Sequence, residues 1–240
     1  LFIENECNPI IKNSNFIKKI CKRRTGIGAD CIIIISDHRD YDFKMDYYNS
    51  DGSWETFCAN GARCAVKLLY KRNKIDKQST FISGDGSHEA IIENNIISIK
   101  MQTPKFVSKK INIENYSGYV IDSGALHYCI NIDKINLLDD LESIGRKIRN
   151  SDIFKPRGVN VNFFNNNNNN ILDVCTYEKG VEKLMLSCGS GSLASAFYAN
   201  KLFKLSNSIQ CISKGGELKV SFDRNWKNVW IAGDTVILYE

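Results

Sequence analysis

The sequence predicts an α+β fold with a duplicated unit, and three observations carry that expectation. Short β-rich runs outnumber helical patterns, and clusters of Asn, Asp, Gly and Ser punctuate them. A five-residue pattern also occurs twice, as Cys58-Ala59-Asn60-Gly61-Ala62 and Cys188-Gly189-Ser190-Gly191-Ser192. Each is cysteine, a small residue, a polar residue, glycine and a small residue, and each opens an amphipathic pattern after a strand-rich stretch. The two copies lie 130 residues apart (58 to 188) in a chain of 240, so one such helix per half is the economical reading.

Taken in order, strands are predicted over 31–35, 43–48, 79–82, 89–92, 96–101, 119–121, 128–132, 159–164, 171–177, 217–222 and 229–238. Helices are predicted over 13–23, 61–72, 138–148 and 192–204. The segment 104–117 has little apolar periodicity and reads as the link between halves. That gives a first domain over 1–104, with residues 229–240 returning to it, and a second over 105–228. The six-asparagine tract 165–170 reads as an exposed hairpin connection without a functional role.

Composition narrows the function. A hydrophobic content of 43% supports a sizeable core, and no apolar run approaches the 18 or more residues of a membrane span. The formal charge of +5 is spread among acidic residues, and the densest basic cluster, Lys18 to Arg24, has no interleaved aromatics. Nucleic acid is therefore not an expected partner. Nine cysteines form no paired C-x-x-C element, and the three histidines are scattered, so no metal site is expected. A reduced, cytoplasmic protein is the simplest reading, with Cys7, Cys21, Cys31, Cys64, Cys129, Cys175 and Cys211 as packing residues or incidental thiols.

Cys58 and Cys188 are different. A cysteine at a helix start sits where unpaired N–H groups and the positive end of the helix dipole favour its thiolate. The small residues Ala59, Gly61, Gly189 and Gly191 leave the following amides uncovered, so a carboxylate can approach closely. One carboxylate held by both helix starts would place its α-carbon between two sulfurs. Inverting a stereocentre by deprotonation needs a base on one face and an acid on the other, and two fixed thiols supply both without a cofactor. A lone cysteine before a helix is more often buried structure; the repetition is what raises the pair to catalytic candidates.

The motifs resemble the diaminopimelate epimerase family over nearly the whole chain. The matching segments are Arg24-Thr25-Gly26-Ile27-Gly28-Ala29-Asp30, Asn49-Ser50-Asp51-Gly52-Ser53, Cys58 to Cys64, Gly124-Ala125-Leu126-His127, Gly158 to Phe163, Tyr177 to Val181, Cys188-Gly189-Ser190-Gly191 and Gly215-Gly216. The resemblance implies two pseudo-symmetric halves, each a curved, mostly antiparallel sheet wrapped around a central helix, with the active site in the cleft between them. It implies catalysis by Cys58 and Cys188, with Ala59, Asn60, Gly189 and Ser190 holding the reacting carboxylate. Glu178 and His127 fall near the reacting amino group, and Asn49, Asn162 and Lys179 on the distal end of the substrate.

The implied reaction interconverts LL- and meso-diaminopimelate for lysine and cell-wall precursors, with no cofactor and an amino acid as the small-molecule partner. A homodimer is an admissible assembly. Three departures bear on recognition: Ala59 stands for a common Gly, Ala125-Leu126 for an Asn-Pro pair, and Lys179 for an Arg, a point charge in place of a bidentate fork. A Gly-Asn-Asp element usual before the first strand is missing, and Leu1-Phe2-Ile3-Glu4 resembles the stretch that succeeds that element, so a trimmed chain is expected. Arg63 reads as an ion-paired residue at a surface or between domains. The competing readings are a related racemase for another amino acid and a thiol redox or metal-binding protein.

Overall fold

The structure is a computed structural model, and it describes all residues except 5–11, 134, 136–139, 168, 169, 239 and 240. It divides into two units, Leu1–Ile99 with Asp234–Glu240, and Lys100–Gly233. In the first unit, β1 (Phe2–Glu4) leads through α1 (Ser14–Cys21) to β2 (Cys31–Ser36), β3 (Phe43–Asn49) and β4 (Trp54–Glu55). There follow α2 (Ala59–Lys71), β5 (Gln78–Ser83), β6 (Gly86–Glu93) and β7 (Ile96–Met101).

The second unit opens with β8 (Lys105–Phe106), β9 (Ile111–Ile113) and β10 (Tyr116–Asp122), which β8 and β9 both join antiparallel. Next come β11 (Leu126–Asn131), α3 (Leu141–Arg149), β12 (Asn160–Asn166), β13 (Ile171–Glu178) and β14 (Lys183–Met185). Then follow α4 (Gly189–Phe203), β15 (Ser208–Ser213), β16 (Gly216–Phe222) and β17 (Val229–Gly233).

The two units repeat one wiring. β1 pairs parallel with β2, as β11 does with β12; β2 and β3 pair antiparallel, as do β12 and β13. β3 takes β4 antiparallel and β5 parallel, and β13 takes β14 and β15 in the same senses. Both runs close with antiparallel meanders, β5-β6-β7 and β15-β16-β17. Even the register repeats: Ile32 faces Tyr48 across β2 and β3, and Val161 faces Tyr177 across β12 and β13. The chain is thus an α+β protein of two pseudo-symmetric halves.

Local chemistry explains the elements. The Ile32–Ile35 run is buried on both faces of β2, so it reads as continuous apolar sequence instead of alternating. In α2 the buried positions Ala62, Ala65, Val66, Leu68 and Leu69 follow helical spacing, whereas α4 is buried from Gly191 through Ala199 on every side. Around α4, Phe197 meets Trp226 edge-on at 4.9 Å, Phe164 meets Tyr198 at 4.9 Å, and the Trp226 indole N–H donates to Asn200 Oδ1 at 2.9 Å. A helix so enclosed has little freedom at its first turn.

Two expectations are corrected. Residues 104–117 are not a featureless link, because β8 and β9 use them to pair with β10. The strand predicted over 229–238 ends at Gly233; Val236 and Leu238 beyond it are 71% and 85% exposed, and their apolar character misled the pattern. Of the helix predicted over 138–148, residues 138 and 139 lie outside the described residues, as do Asn168 and Asn169 of the asparagine tract and Cys7. No described helix is long and apolar enough to cross a membrane.

Candidate functional site

Among the described residues, the caps of the four α-helices separate into two kinds. α1 and α3 begin with good capping side chains: Asn13 Oδ1 accepts from the N–H groups of Asn15 and Phe16, and Asp140 Oδ1 accepts from Ser143 N–H. α2 and α4 instead have cysteine caps, Cys58 and Cys188. Sulfur is a weak acceptor, and Ser or Asn would cap better. That the weak cap occurs at the same point of both repeats argues for chemistry over helix stability.

The two caps share a backbone conformation, φ −142°, ψ 110° at Cys58 and φ −134°, ψ 112° at Cys188. Burial follows in step: both cysteines are partly exposed, Ala59 and Gly189 are buried, Asn60 and Ser190 are partly exposed, and Gly61 and Gly191 are buried. Each helix start therefore offers its thiol and the polar residue two positions on. A Cβ on Gly61 would stand 2.5 Å from Ile33 Cδ1, and one on Gly191 would stand 2.5 Å from Asn162 Nδ2 and 2.7 Å from Thr176 Oγ1. Glycine suits both because side chains of β2, or of β12 and β13, lie directly beneath the first turn.

Around Cys58, the Gly61 N–H points at the sulfur at 3.5 Å. Phe57, just before it, stacks on His88 with ring centroids 4.1 Å apart, and His88 contacts Asp85 Oδ1 through Nε2 at 2.9 Å. Arg63 is only 5% exposed, which corrects its expected surface position. Its fork turns back on the first turn of α2, donating to Asn60 Oδ1 at 2.8 Å and Ala59 C=O at 3.4 Å, while its Nε has no partner among the described residues. Burial lowers the guanidinium's pKa, and the charges of Cys64 and Cys58 oppose that shift. Burial in turn pushes the thiols of Cys64 and Cys31 up, the latter to about 12.

Around Cys188 the surroundings are polar and connected. The sulfur lies 3.6 Å from Ser190 Oγ, which lies 3.0 Å from His127 Nε2. His127 Nδ1 lies 2.7 Å from Asn162 Oδ1, and Asn162 Nδ2 donates to Thr176 Oγ1 at 3.1 Å and Ser195 Oγ at 3.4 Å. Ser123 Oγ donates to the Ser190 carbonyl at 2.8 Å and holds the turn from β11's side. His127 is fully buried, and that burial pushes its pKa down to about 4 against the help of Asn162 and Asp122, so it is neutral near pH 7.

Each remaining candidate has a place within its own unit. Asn49 ends β3 and donates to Ser53 Oγ at 3.1 Å in the turn that Asp51 organises. Glu178 ends β13, the equivalent position, and is partly exposed; Lys179 is exposed and donates its N–H to Asn160 Oδ1 at 2.8 Å. Asn162, expected at the substrate's distal end, is 0% exposed and its amide is taken up by His127, Thr176 and Ser195, leaving no surface for a ligand. Asn160, passed over in the sequence, is partly exposed and turns its Nδ2 to His127 Nε2 at 3.4 Å. Both asparagines lie on one face of β12, as residues two apart must, and alternation alone gives no depth along that face. Thr176, Ser195 and Ser123 carried no sequence signal at all. Among the described residues, no three His, Cys, Asp or Glu side chains gather as a metal site would require.

Comparison with known proteins fits this arrangement. The family model described as "Diaminopimelate epimerase" matches residues 1–107. Over 100% of the chain and 94% of its own length, a diaminopimelate epimerase from Flavobacterium psychrophilum is 38% identical, and one from a Hydrogenobaculum species is 32% identical over 100% and 92%. Among solved structures, a hydroxyproline epimerase from Agrobacterium vitis with bound trans-4-hydroxy-L-proline shares the fold. Its TM-score is 0.73 at 13% identity, covering 91% of this chain and 77% of that one. With relatives matched over nearly their whole length at this identity, and the repeated cysteine-capped helices, the chain belongs to the diaminopimelate epimerase family.

Proposed function

We propose that this chain is a cofactor-independent isomerase that interconverts LL- and meso-diaminopimelate by moving an α-proton between Cys58 and Cys188. The observation that carries the reading is the matched pair of cysteine caps at equivalent points of a repeated topology, in a chain whose relatives bear that name. One thiolate takes the α-proton while the opposite thiol delivers its own, so the number of protons is unchanged and the configuration inverts. The carbanion's charge spreads into the carboxylate, which the first-turn amides at Ala59, Asn60, Gly189 and Ser190 are suited to hold. The mechanism requires one substrate to meet both helix starts.

Glu178 is proposed beside the reacting amino group, with fully buried His127 acting on that end through Ser190, and Asn49, Lys179 and Asn160 toward the distal end. Asn162 takes a supporting place behind His127. The substrate is a small amino acid, no metal takes part, and a cytoplasmic homodimer supplying lysine and cell-wall synthesis is the proposed setting.

A second reading, racemisation of another amino acid, is favoured by Ala125-Leu126 and by Lys179 in place of an arginine fork. Chiral chromatography of LL-diaminopimelate, proline and hydroxyproline after incubation with the protein decides between them. Approach of LL- and meso-diaminopimelate to equilibrium supports the first; an inert diaminopimelate with turnover of proline or hydroxyproline supports the second.

A further inference from the structure

We infer that the two thiols are not equivalent at rest, Cys188 being the protonated thiol and Cys58 the thiolate, with Asn162 and Arg63 as the positioning residues that set this polarity. The inference rests on the two-thiol reading of the site and adds a direction to it.

The direction can be traced from one fixed donor. The backbone N–H of Lys179 donates to Asn160 Oδ1, which leaves Asn160 Nδ2, a donor, facing His127 Nε2. Nε2 is therefore an acceptor, and the imidazole proton is on Nδ1, where Asn162 Oδ1 receives it. Asn162 is itself oriented by giving its Nδ2 hydrogens to Thr176 and Ser195. Every member of this hydrogen-bonded chain agrees on one sense. The Ser190 hydroxyl, 3.0 Å from Nε2, then spends its hydrogen on His127 and turns its lone pairs outward. Cys188 Sγ, 3.6 Å from that oxygen, meets an acceptor, and only a protonated thiol can donate to it.

At Cys58 the local groups have the opposite sense. The Gly61 N–H is directed at the sulfur, and Arg63, buried in the same first turn, has no carboxylate partner among the described residues. A buried cation calls for a counter-charge. Of the two sulfurs whose charge it feels, Cys64 is held protonated by burial, which leaves Cys58. The residue 130 positions beyond Arg63 is Leu193, fully buried and neutral, so α4 has no such cation.

Catalysis then starts with the Cys58 thiolate taking the substrate α-proton and the Cys188 thiol giving its own. The product state carries the proton on Cys58 and the charge on Cys188. Exchange with water resets the pair. The charged group acting on His127 besides this chain is Asp122, whose carboxylate pulls toward protonation and is outweighed by burial.

The test is the pH dependence of iodoacetamide alkylation at Cys58 and at Cys188 in the wild-type chain, read by peptide mass spectrometry, together with the ¹⁵N spectrum of His127. Inflection pH is compared and not absolute rate, so unequal access does not enter. Cys58 is expected to inflect at least about one unit below Cys188, with His127 neutral and protonated on Nδ1 at pH 7. In Asn162→Asp, a carboxylate on Nδ1 makes His127 an imidazolium whose Nε2 also donates. Ser190 must then turn its hydrogen to Cys188, whose inflection should fall by about one unit, a roughly tenfold faster alkylation at pH 7.

A Cys188 inflection at or below that of Cys58 overturns the inference, as does His127 protonated on Nε2. A folded Asn162→Asp protein with an unchanged Cys188 profile does the same. Both wild-type readings stand even if that variant does not fold. None of these measurements uses turnover, so a protein with the expected inflections but no epimerase activity contradicts the functional reading and leaves the polarity intact.

Discussion

The starts of α2 and α4 are the same backbone in different surroundings. Under the first turn of α2 lies Ile33, an apolar side chain; under that of α4 lies Asn162, at the equivalent register position of the equivalent strand. Behind Cys58 stands a buried cation, and behind Cys188 a neutral histidine held by three polar side chains. Duplication supplied two thiols with one geometry, and divergence beneath them supplied two electrostatic environments. On the proposed two-thiol mechanism, which takes a proton with one sulfur and gives one with the other, that inequality is useful.

The largest effect expected is loss of turnover. Cys58→Ala or Cys188→Ala should each lower kcat by roughly 10²–10⁴-fold or more, because on the two-thiol proposal each removes a proton-transfer group. A single variant that kept full activity would break the symmetry of roles at once.

Acid should then act on the α4 side through His127. Unfolded histidine titrates near 6.5 and buried His127 near 4, so between those values the unfolded chain binds the extra proton and stability falls as pH drops. Above pH 6.5 this contribution is flat, and by pH 4 the loss reaches about 3 kcal/mol. Urea unfolding from pH 7 to pH 4 should show that slope in the wild type and a shallower one in His127→Gln.

Smaller, and directly comparative, are the two glycines. Gly191→Ala drives a methyl into Asn162 and Thr176, which are locked in the hydrogen-bond chain, and should cost about 1–3 kcal/mol. Gly61→Ala meets the far end of Ile33, which has a rotamer to yield, so its melting temperature should fall less. Equal losses would mean the bed under α4 is no stiffer than that under α2. Smallest of all is Arg63→Met, expected to raise the alkylation inflection of Cys58 while leaving that of Cys188 in place.

Much of this was legible from residue order. The repeated cysteine pattern located both helix starts, although the predicted helices began at 61 and 192 where the structure begins them at Ala59 and Gly189. Cysteine is a poor cap, so pattern reading placed it before the helix and not at its boundary. The β4 and β14 pairs were missed because two or three residues carry no periodicity, and β15 because Ser208, Gln210 and Ser213 dilute its alternation. The family resemblance put Asn162 at the substrate's distal end, and alternation cannot correct it, because it does not tell a buried position from a partly exposed one on the same strand face. Arg63 reads as ion-paired at a surface or between domains because buried arginine is rare, and its back-bonding to its own helix turn leaves no mark in sequence.

The most direct test of the two-thiol account is α-proton exchange in deuterated water with LL-diaminopimelate, followed by mass spectrometry and chiral separation. The account predicts that the wild-type chain places deuterium at an α-carbon as meso product forms, and that Cys58→Ser and Cys188→Ser each abolish inversion. Inversion at an undiminished rate in either variant, with the protein folded, would contradict it.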